Sequence, residues 1–176
     1  MERRVSTTSE NVIEELEAIL VKIFRLFQSL LSLVKDERQF LVENDAEAVE
    51  DISGKKQEIL FTLELMEQER QSKAKELGQI FGIEDNIGLF GELLKKISHA
   101  GVERLRHLQQ GILSLQKEIR EINSGNYALA NLNLQKIQAV QSYLLNTLQP
   151  PSSFYGPDSK RIDHSEPSAW QMDQNV

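Results

Sequence analysis

Near the start of the chain the apolar residues recur alternately every four and every three positions. This first seam consists of Val12, Leu16, Ile19, Ile23, Leu26, Leu30 and Leu33. A second seam beside it consists of Leu20, Phe24, Phe27, Leu31 and Val34. One such seam serves one partner helix, whereas two adjacent seams make a face wide enough for two. The pattern therefore predicts a long helix that packs against two other helices.

Turn-forming residues divide the chain after this pattern. Asn44 is suited to close one helix, and Asp45 is suited to cap the next. A cluster of loop-forming residues follows later and consists of Gly78, Gly82, Asp85, Asn86 and Gly88. The apolar alternation resumes at Leu89 and ends at Leu148. These breaks indicate three long helical stretches.

The breaks also predict the domain organisation. We expect helices over residues 9–43, 45–80 and 89–148. Long helices with short connections pack most economically as antiparallel neighbours. Residues 1–149 are therefore predicted to form an all-α, elongated antiparallel bundle of about three long, coiled-coil-like helices.

Local signals and register disagree at Asn123-Ser124-Gly125-Asn126, because each residue favours a turn. The alternation nevertheless continues in register through Asn126, Leu129, Asn133 and Ile137. We expect a continuous helix with Gly125 on its exposed side. Asn126 and Asn133 occupy seam positions, where an apolar residue would stabilise a bundle more. Two interpretations stay open: buried asparagines that set helix register, or a polar notch that orients a bound peptide.

Residues 150–176 have a different composition from the rest of the chain. Pro150-Pro151 ends the last helix, and the residues that follow are polar, serine-rich and aperiodic. We predict a tail that is disordered on its own, with Phe154 and Tyr155 among its few apolar points.

Composition excludes several classes of function. The net charge of −7, from 27 acidic and 20 basic residues, disfavours nucleic acid as a partner. The chain has no cysteine, which excludes thiol chemistry and suits a reducing compartment. The apolar segment 16–34 has the length of a membrane span, but it contains Glu17, Lys22 and Arg25. Each of these costs about 2.5 to 3.5 kcal/mol at a bilayer centre, so we predict a buried helix and no membrane insertion.

The residues suggest no catalytic site. His99 and His107 lie eight positions apart without further ligands at metal-binding spacing, so no metal or cofactor is expected. A histidine phosphotransfer domain is a remaining alternative, but Leu108-Gln109-Gln110-Gly111 lacks the lysine and small residues expected after such a histidine. No phosphate-binding loop or nucleophile motif is evident. We expect a binding protein and not an enzyme.

Three stretches resemble the FlgN family of flagellar export chaperones, over nearly all of residues 10–160. The first runs from Glu37 to Arg70 and includes an Asn-Asp turn and Lys55-Lys56. The second, residues 120–126, has the family's paired asparagines three apart, although Tyr127 stands where the family usually has glycine. The third is Phe154-Tyr155-Gly156-Pro157-Asp158, which is similar to the family's tyrosine-glycine motif after the last helix.

The resemblance implies a cytoplasmic bacterial chaperone of type III flagellar export. Its partners would be the C-terminal helical segments of the hook-filament junction proteins, hook-associated proteins 1 and 3, and a component of the export gate. We expect the substrate site at Asn123, Asn126, Leu129, Asn133 and Ile137. The resemblance places gate docking at Tyr155 and Gly156, and the alternative is that Phe154 and Tyr155 staple the last helix. A structural coiled-coil scaffold is the main alternative function.

Overall fold

The computed structural model describes residues 2–83, 90–97 and 101–148, and these contain no β-strand. The described residues form four helices: α1 (Glu2–Glu43), α2 (Ala46–Ile80), α3 (Phe90–Lys96) and α4 (Val102–Leu148). The predicted all-α class is confirmed. The chain divides into a first unit, Met1–Lys136, and a second unit, Ile137–Val176. The predicted tail, residues 150–176, lies outside the described residues.

The turn between α1 and α2 follows from two residues. Asn44 adopts a left-handed conformation, with φ +57°, and the amide of Asp45 donates to the carbonyl of Phe40 at 3.0 Å. Together these close α1 in the manner of a Schellman motif. The Asp45 side chain then accepts the Ala48 amide at 3.0 Å and caps α2. The local sequence therefore reverses the chain within two residues.

The core of the first unit is built on the double seam of α1. Leu16 is fully buried, as are Leu77 of α2, Leu94 of α3 and Leu105 of α4. The aromatic residues of the second seam, Phe24 and Phe27, are partly buried against the same cluster. Side chains of all four helices therefore share one apolar core.

Ion pairs at the rim show how the long helices run. Between α1 and α2, Glu15 pairs with Lys73 and Glu37 pairs with Lys56. Residue numbers on α2 therefore decrease as those on α1 increase. Between α1 and α4, Glu17 pairs with Arg104 and Lys35 pairs with Glu118. Residue numbers on these two helices therefore increase in the same direction. Within the first unit α2 is therefore antiparallel to α1, and α4 is parallel to it. The prediction that α1 packs against two partner helices is confirmed.

The structure differs from the single helix predicted over residues 89–148. In its place α3 ends at Lys96, and α4 begins at Val102 after a turn at Gly101. Arg106 of α4 donates to the carbonyls of Leu94 at 2.6 Å and Ile97 at 3.3 Å. Leu94 is in the last turn of α3, where helix carbonyls have no intrahelical partner. A tertiary contact therefore supports the break.

Two features hold α3 against its neighbours. The guanidinium of Arg70 on α2 lies 4.6 Å from the ring centroid of Phe90, which is within the range of a cation–π interaction. Leu93, Leu94 and Ile97 are buried at 7%, 0% and 1% exposure. The apolar residues at the start of the predicted third helix therefore fill the core from a separate short helix and from Ile97 directly after it.

Gly111 leaves room on α4 for the ring of Phe24 on α1. A methyl group added at Gly111 would stand 2.9 Å from Cε2 of Phe24, which is closer than such atoms normally come. Gly54 in α2 is the opposite case, because a methyl group there would meet nothing within 4 Å. The same substitution at the two glycines therefore has different physical consequences.

We predict that Gly54→Ala raises the free energy of unfolding by about 1 kcal/mol, the difference in helix propensity. Gly111→Ala should instead lower it, because displacing Phe24 overpacks the core at a typical cost of about 1 to 3 kcal/mol. Urea denaturation of both variants measures the two changes. Equal stabilisation by the two substitutions would contradict the packing of Phe24 on Gly111.

Candidate functional site

Asn126 of α4 is buried against α1, with 3% of its surface exposed. Its Nδ2 donates to the carbonyl of Val34 at 2.9 Å and to Oε2 of Glu37 at 2.9 Å. Both partners are acceptors, so they fix which end of the amide faces α1. Its Oδ1 is buried without a hydrogen-bond partner among the described residues. The amide is therefore committed to contacts inside the bundle.

Glu37 connects three helices through its two carboxylate oxygens. Oε2 accepts from Asn126 on α4, and Oε1 accepts from Nζ of Lys56 on α2 at 2.6 Å. The Lys56 and Glu37 side chains are only 18% and 13% exposed. We call Glu37, Lys56 and Asn126 the polar layer. Hydrogen bonds to ionised groups are stronger than neutral ones, and an ion left unpaired in such a layer is costly.

Asn133 repeats the contact of Asn126 one heptad later. Its Nδ2 donates to the carbonyl of Leu41 at 2.7 Å, in a half-buried position. Leu41 lies in the last turn of α1, whose carbonyls lack intrahelical partners. Asn126–Val34 and Asn133–Leu41 both join residues 92 positions apart. The two asparagines therefore hold α1 and α4 in one parallel register, which favours the register interpretation over the polar notch.

The remaining predicted residues of the first unit have mixed environments. Asn123 is exposed and Leu129 is half-buried. The helix is continuous through Asn123–Asn126, as expected. The expectation that Gly125 lies on the exposed side is wrong: Gly125 is half-buried, and a methyl group there would stand 2.9 Å from Nη1 of Arg38. The register of the seam turns this residue towards α1.

The second unit carries the most concentrated exposed apolar surface among the described residues. Over residues 137–148 every side chain is exposed. We call this segment the terminal face of α4. Its large apolar residues are between 50% and 77% exposed: Ile137, Val140, Tyr143, Leu144, Leu145 and Leu148. In proteins generally, contiguous exposed apolar surface is a feature of interaction sites. Of the predicted site residues, Ile137 belongs to it.

Among the described residues, resolved pKa shifts occur only in ion pairs on the helix surfaces. A hydrogen bond from Arg70 lowers the pKa of Glu67. Hydrogen bonds to Asp51 and to Glu15 raise the pKa of Lys55 and of Lys73, respectively. These shifts are typical of solvated salt bridges and occur away from the terminal face of α4. They identify no acid–base machinery.

The described part of the chain has neither a metal-binding cluster nor a membrane-spanning helix. No group of three or more His, Asp or Glu side chains there is placed to hold a metal ion. His107 is 72% exposed, and its Nε2 lies 3.7 Å from Oε1 of Glu103 on the preceding turn. None of the described helices combines the length and apolar composition that crossing a bilayer requires.

A family model for the FlgN protein matches residues 11–161, which is most of the chain. The chain belongs to the FlgN family. FlgN proteins are flagellar export chaperones, so the resemblance seen in the sequence is confirmed. Comparisons with curated proteins and with solved structures gave no match. Tyr155 and Gly156 fall inside the range matched to FlgN but outside the described residues.

Sequence reasoning missed two parts of the site. The polar layer was missed because nothing in the sequence says that Lys56 and Asn126 meet Glu37. The exposed residues beyond Ile137 continue the apolar alternation of the bundle, so their periodicity resembles that of a core. Charge does not separate them from the packed residues before them, because residues 122–148 contain a single charged residue, Lys136.

We predict that Asn126→Ala lowers the free energy of unfolding by about 1 to 3 kcal/mol, because Glu37 loses a buried donor. Asn133→Ala should cost less, about 0.5 to 1.5 kcal/mol, since its contact is half-buried. The exposed Asn123 is the matched control, and Asn123→Ala should stay within about 0.5 kcal/mol of the unmodified chain. Chemical denaturation measures all three. An Asn126→Ala variant as stable as Asn123→Ala would show that the polar layer does not form.

Proposed function

We propose that this FlgN-family chain is a non-enzymatic, cytoplasmic chaperone for hook-filament junction proteins, namely hook-associated proteins 1 and 3. It binds their C-terminal helical segments, prevents their premature assembly and delivers them to the export gate. The observation that carries the proposal is the terminal face of α4, with six large apolar side chains at least half exposed. The absence of cysteine suits a reducing compartment.

The terminal face suits the recognition of a helix. Burying apolar surface contributes about 25 cal/mol per Å², so each fully covered Leu or Ile contributes about 1.5 to 3 kcal/mol. Four of its apolar residues follow the spacing that an amphipathic partner helix meets in a groove or coiled coil: Ile137, Val140, Leu144 and Leu148. A helical C-terminal segment of the substrate supplies a complementary stripe. In the free chain these side chains are left to solvent.

The five predicted site residues take different roles in this proposal. Ile137 contacts the substrate directly. Asn126 and Asn133 hold α4 in register against α1, because their amides are already engaged there. Asn123 is exposed and Leu129 half-buried in the first unit, and both remain candidates for substrate contact.

Docking on the export gate is the second part of the proposal. We assign it to Tyr155 and Gly156, which lie in the range matched to FlgN proteins. Tyrosine offers a wide apolar ring with one polar atom, a combination common at interfaces. In this assignment the segment after α4 carries the gate contact, and α4 carries the substrate.

Substrate capture is tested with Leu144→Ala, which removes a side chain of the terminal face that is 50% exposed. Leu113→Ala is the matched control, because Leu113 is the same residue type on the same helix and is 55% exposed. We expect Leu144→Ala to weaken binding of a junction protein at least about tenfold, which corresponds to about 1.4 kcal/mol. Leu113→Ala should change it less than about twofold. Isothermal titration calorimetry measures both.

The stoichiometry of the complex separates chaperone from scaffold. Light scattering should show a one-to-one complex with the junction protein. Homo-oligomers that ignore the junction protein would favour the coiled-coil scaffold, and equal losses in the two leucine variants would remove the site from the terminal face.

Gate docking is tested with Tyr155→Ala and with Trp170→Ala as control, since Trp170 lies beyond the range matched to FlgN. We expect Tyr155→Ala to keep its melting temperature and its capture of substrate but to lose affinity for the gate component. Trp170→Ala should keep all three. If Tyr155→Ala melts at a lower temperature and still binds the gate, the tyrosine instead staples the last helix.

A further inference from the structure

Charged side chains are frequent in this chain but missing from the terminal face of α4. Asp, Glu, Lys and Arg make up 27% of all residues, so about three would be expected among residues 137–148, which contain none. Lys136 is the only charged residue between Glu121 and Leu148. The uncharged stretch begins among packed residues such as Asn126, and over residues 137–148 all of its side chains are exposed. Fully exposed helix positions ordinarily carry charged side chains, so the lack of charge over residues 137–148 calls for a physical reason.

The arrangement of the neutral residues gives the face two sides. At about 100° per residue, its apolar side chains cover an arc of about 200° on the helix. Ile137, Leu144 and Leu148 lie at the centre of this arc, and Gln141 lies among them. The opposite arc carries Gln138, Ser142 and Asn146, which offer neutral donors and acceptors. Neither arc carries an ionised group within residues 137–148.

The first unit uses the opposite chemistry where its helices meet. Glu15 pairs with Lys73, Glu17 with Arg104 and Lys35 with Glu118, each across two helices. On the terminal face a partner's carboxylate or ammonium group would lose water without meeting an opposite charge. Burying an ion without a counterion is strongly unfavourable. The face therefore discriminates against charged partner surfaces as well as attracting apolar ones.

We propose, on the basis of the proposed function, that the terminal face of α4 selects a substrate helix whose contact surface is itself uncharged. Recognition uses apolar contacts, supplemented by hydrogen bonds from amide and hydroxyl groups, and no ion pairs. The charge of the substrate then lies on the side of its helix turned away from the chaperone. Affinity is consequently insensitive to ionic strength, since screening acts on charges and not on apolar contacts.

The test is a salt titration of the full chain with a fluorescently labelled peptide from the C-terminus of a junction protein. Raising NaCl from about 0.05 M to about 1 M shortens the Debye length from above 10 Å to about 3 Å. We expect Kd to stay within about twofold over this range or to tighten at high salt. Weakening by tenfold or more would overturn the inference and leave the proposed function standing. Absence of binding at every salt concentration would instead overturn the proposed function.

Two neighbouring positions test the same inference by substitution. Gln141→Glu places a carboxylate within the apolar arc, and Ser142→Glu places one on the polar arc at nearly the same depth in the helix. We expect Gln141→Glu to weaken capture at least tenfold and Ser142→Glu to change it less than twofold. Gln141→Met, which adds no charge, should retain capture. Equal losses in the two glutamate variants, or full capture by Gln141→Glu, would contradict uncharged recognition.

Discussion

The double seam of α1 meets two long helices at once, and the rest of the first unit depends on that contact. Apolar seams alone permit slippage by a heptad, because the pattern looks the same after each repeat. Asn126 and Asn133 remove this freedom, since each donates to an α1 carbonyl 92 positions earlier in the chain. Glu37 then ties the same level to Lys56 on α2. The register between α1 and α4 is therefore set by these polar contacts and not by the apolar seams alone.

Much of this arrangement was visible in the sequence, and the missing parts share a cause. The seams of α1, the cap at Asp45 and the continuity of α4 through Gly125 all follow from periodicity and local chemistry. The break between α3 and α4 was missed because it is supported by Arg106 and by Arg70, whose partners Leu94 and Phe90 lie on a different helix from their own. The side to which Gly125 turns was missed for the same reason. Local patterns report propensity, whereas these features depend on which helices become neighbours.

The two units of the chain differ in where their helices carry charged side chains. Ion pairs line the contacts of α1 with α2 and α4 in the first unit, whereas the terminal face of α4 is exposed, apolar and uncharged. In the proposed function, this face attracts apolar helices and leaves charged ones in solution. Membership of the FlgN family indicates a flagellar export chaperone. We infer the basis of substrate selection from the uncharged, apolar composition of the face.

Hydrogen–deuterium exchange of the full chain, with and without a hook-filament junction protein, tests this account most directly. Substrate held on the terminal face of α4 should slow exchange in peptides covering residues 137–148. The exposed apolar residues of α2, Leu60, Phe61 and Leu65, serve as an internal comparison and should exchange unchanged. Unaltered exchange over residues 137–148, with protection appearing around Leu60–Leu65 instead, would contradict the account.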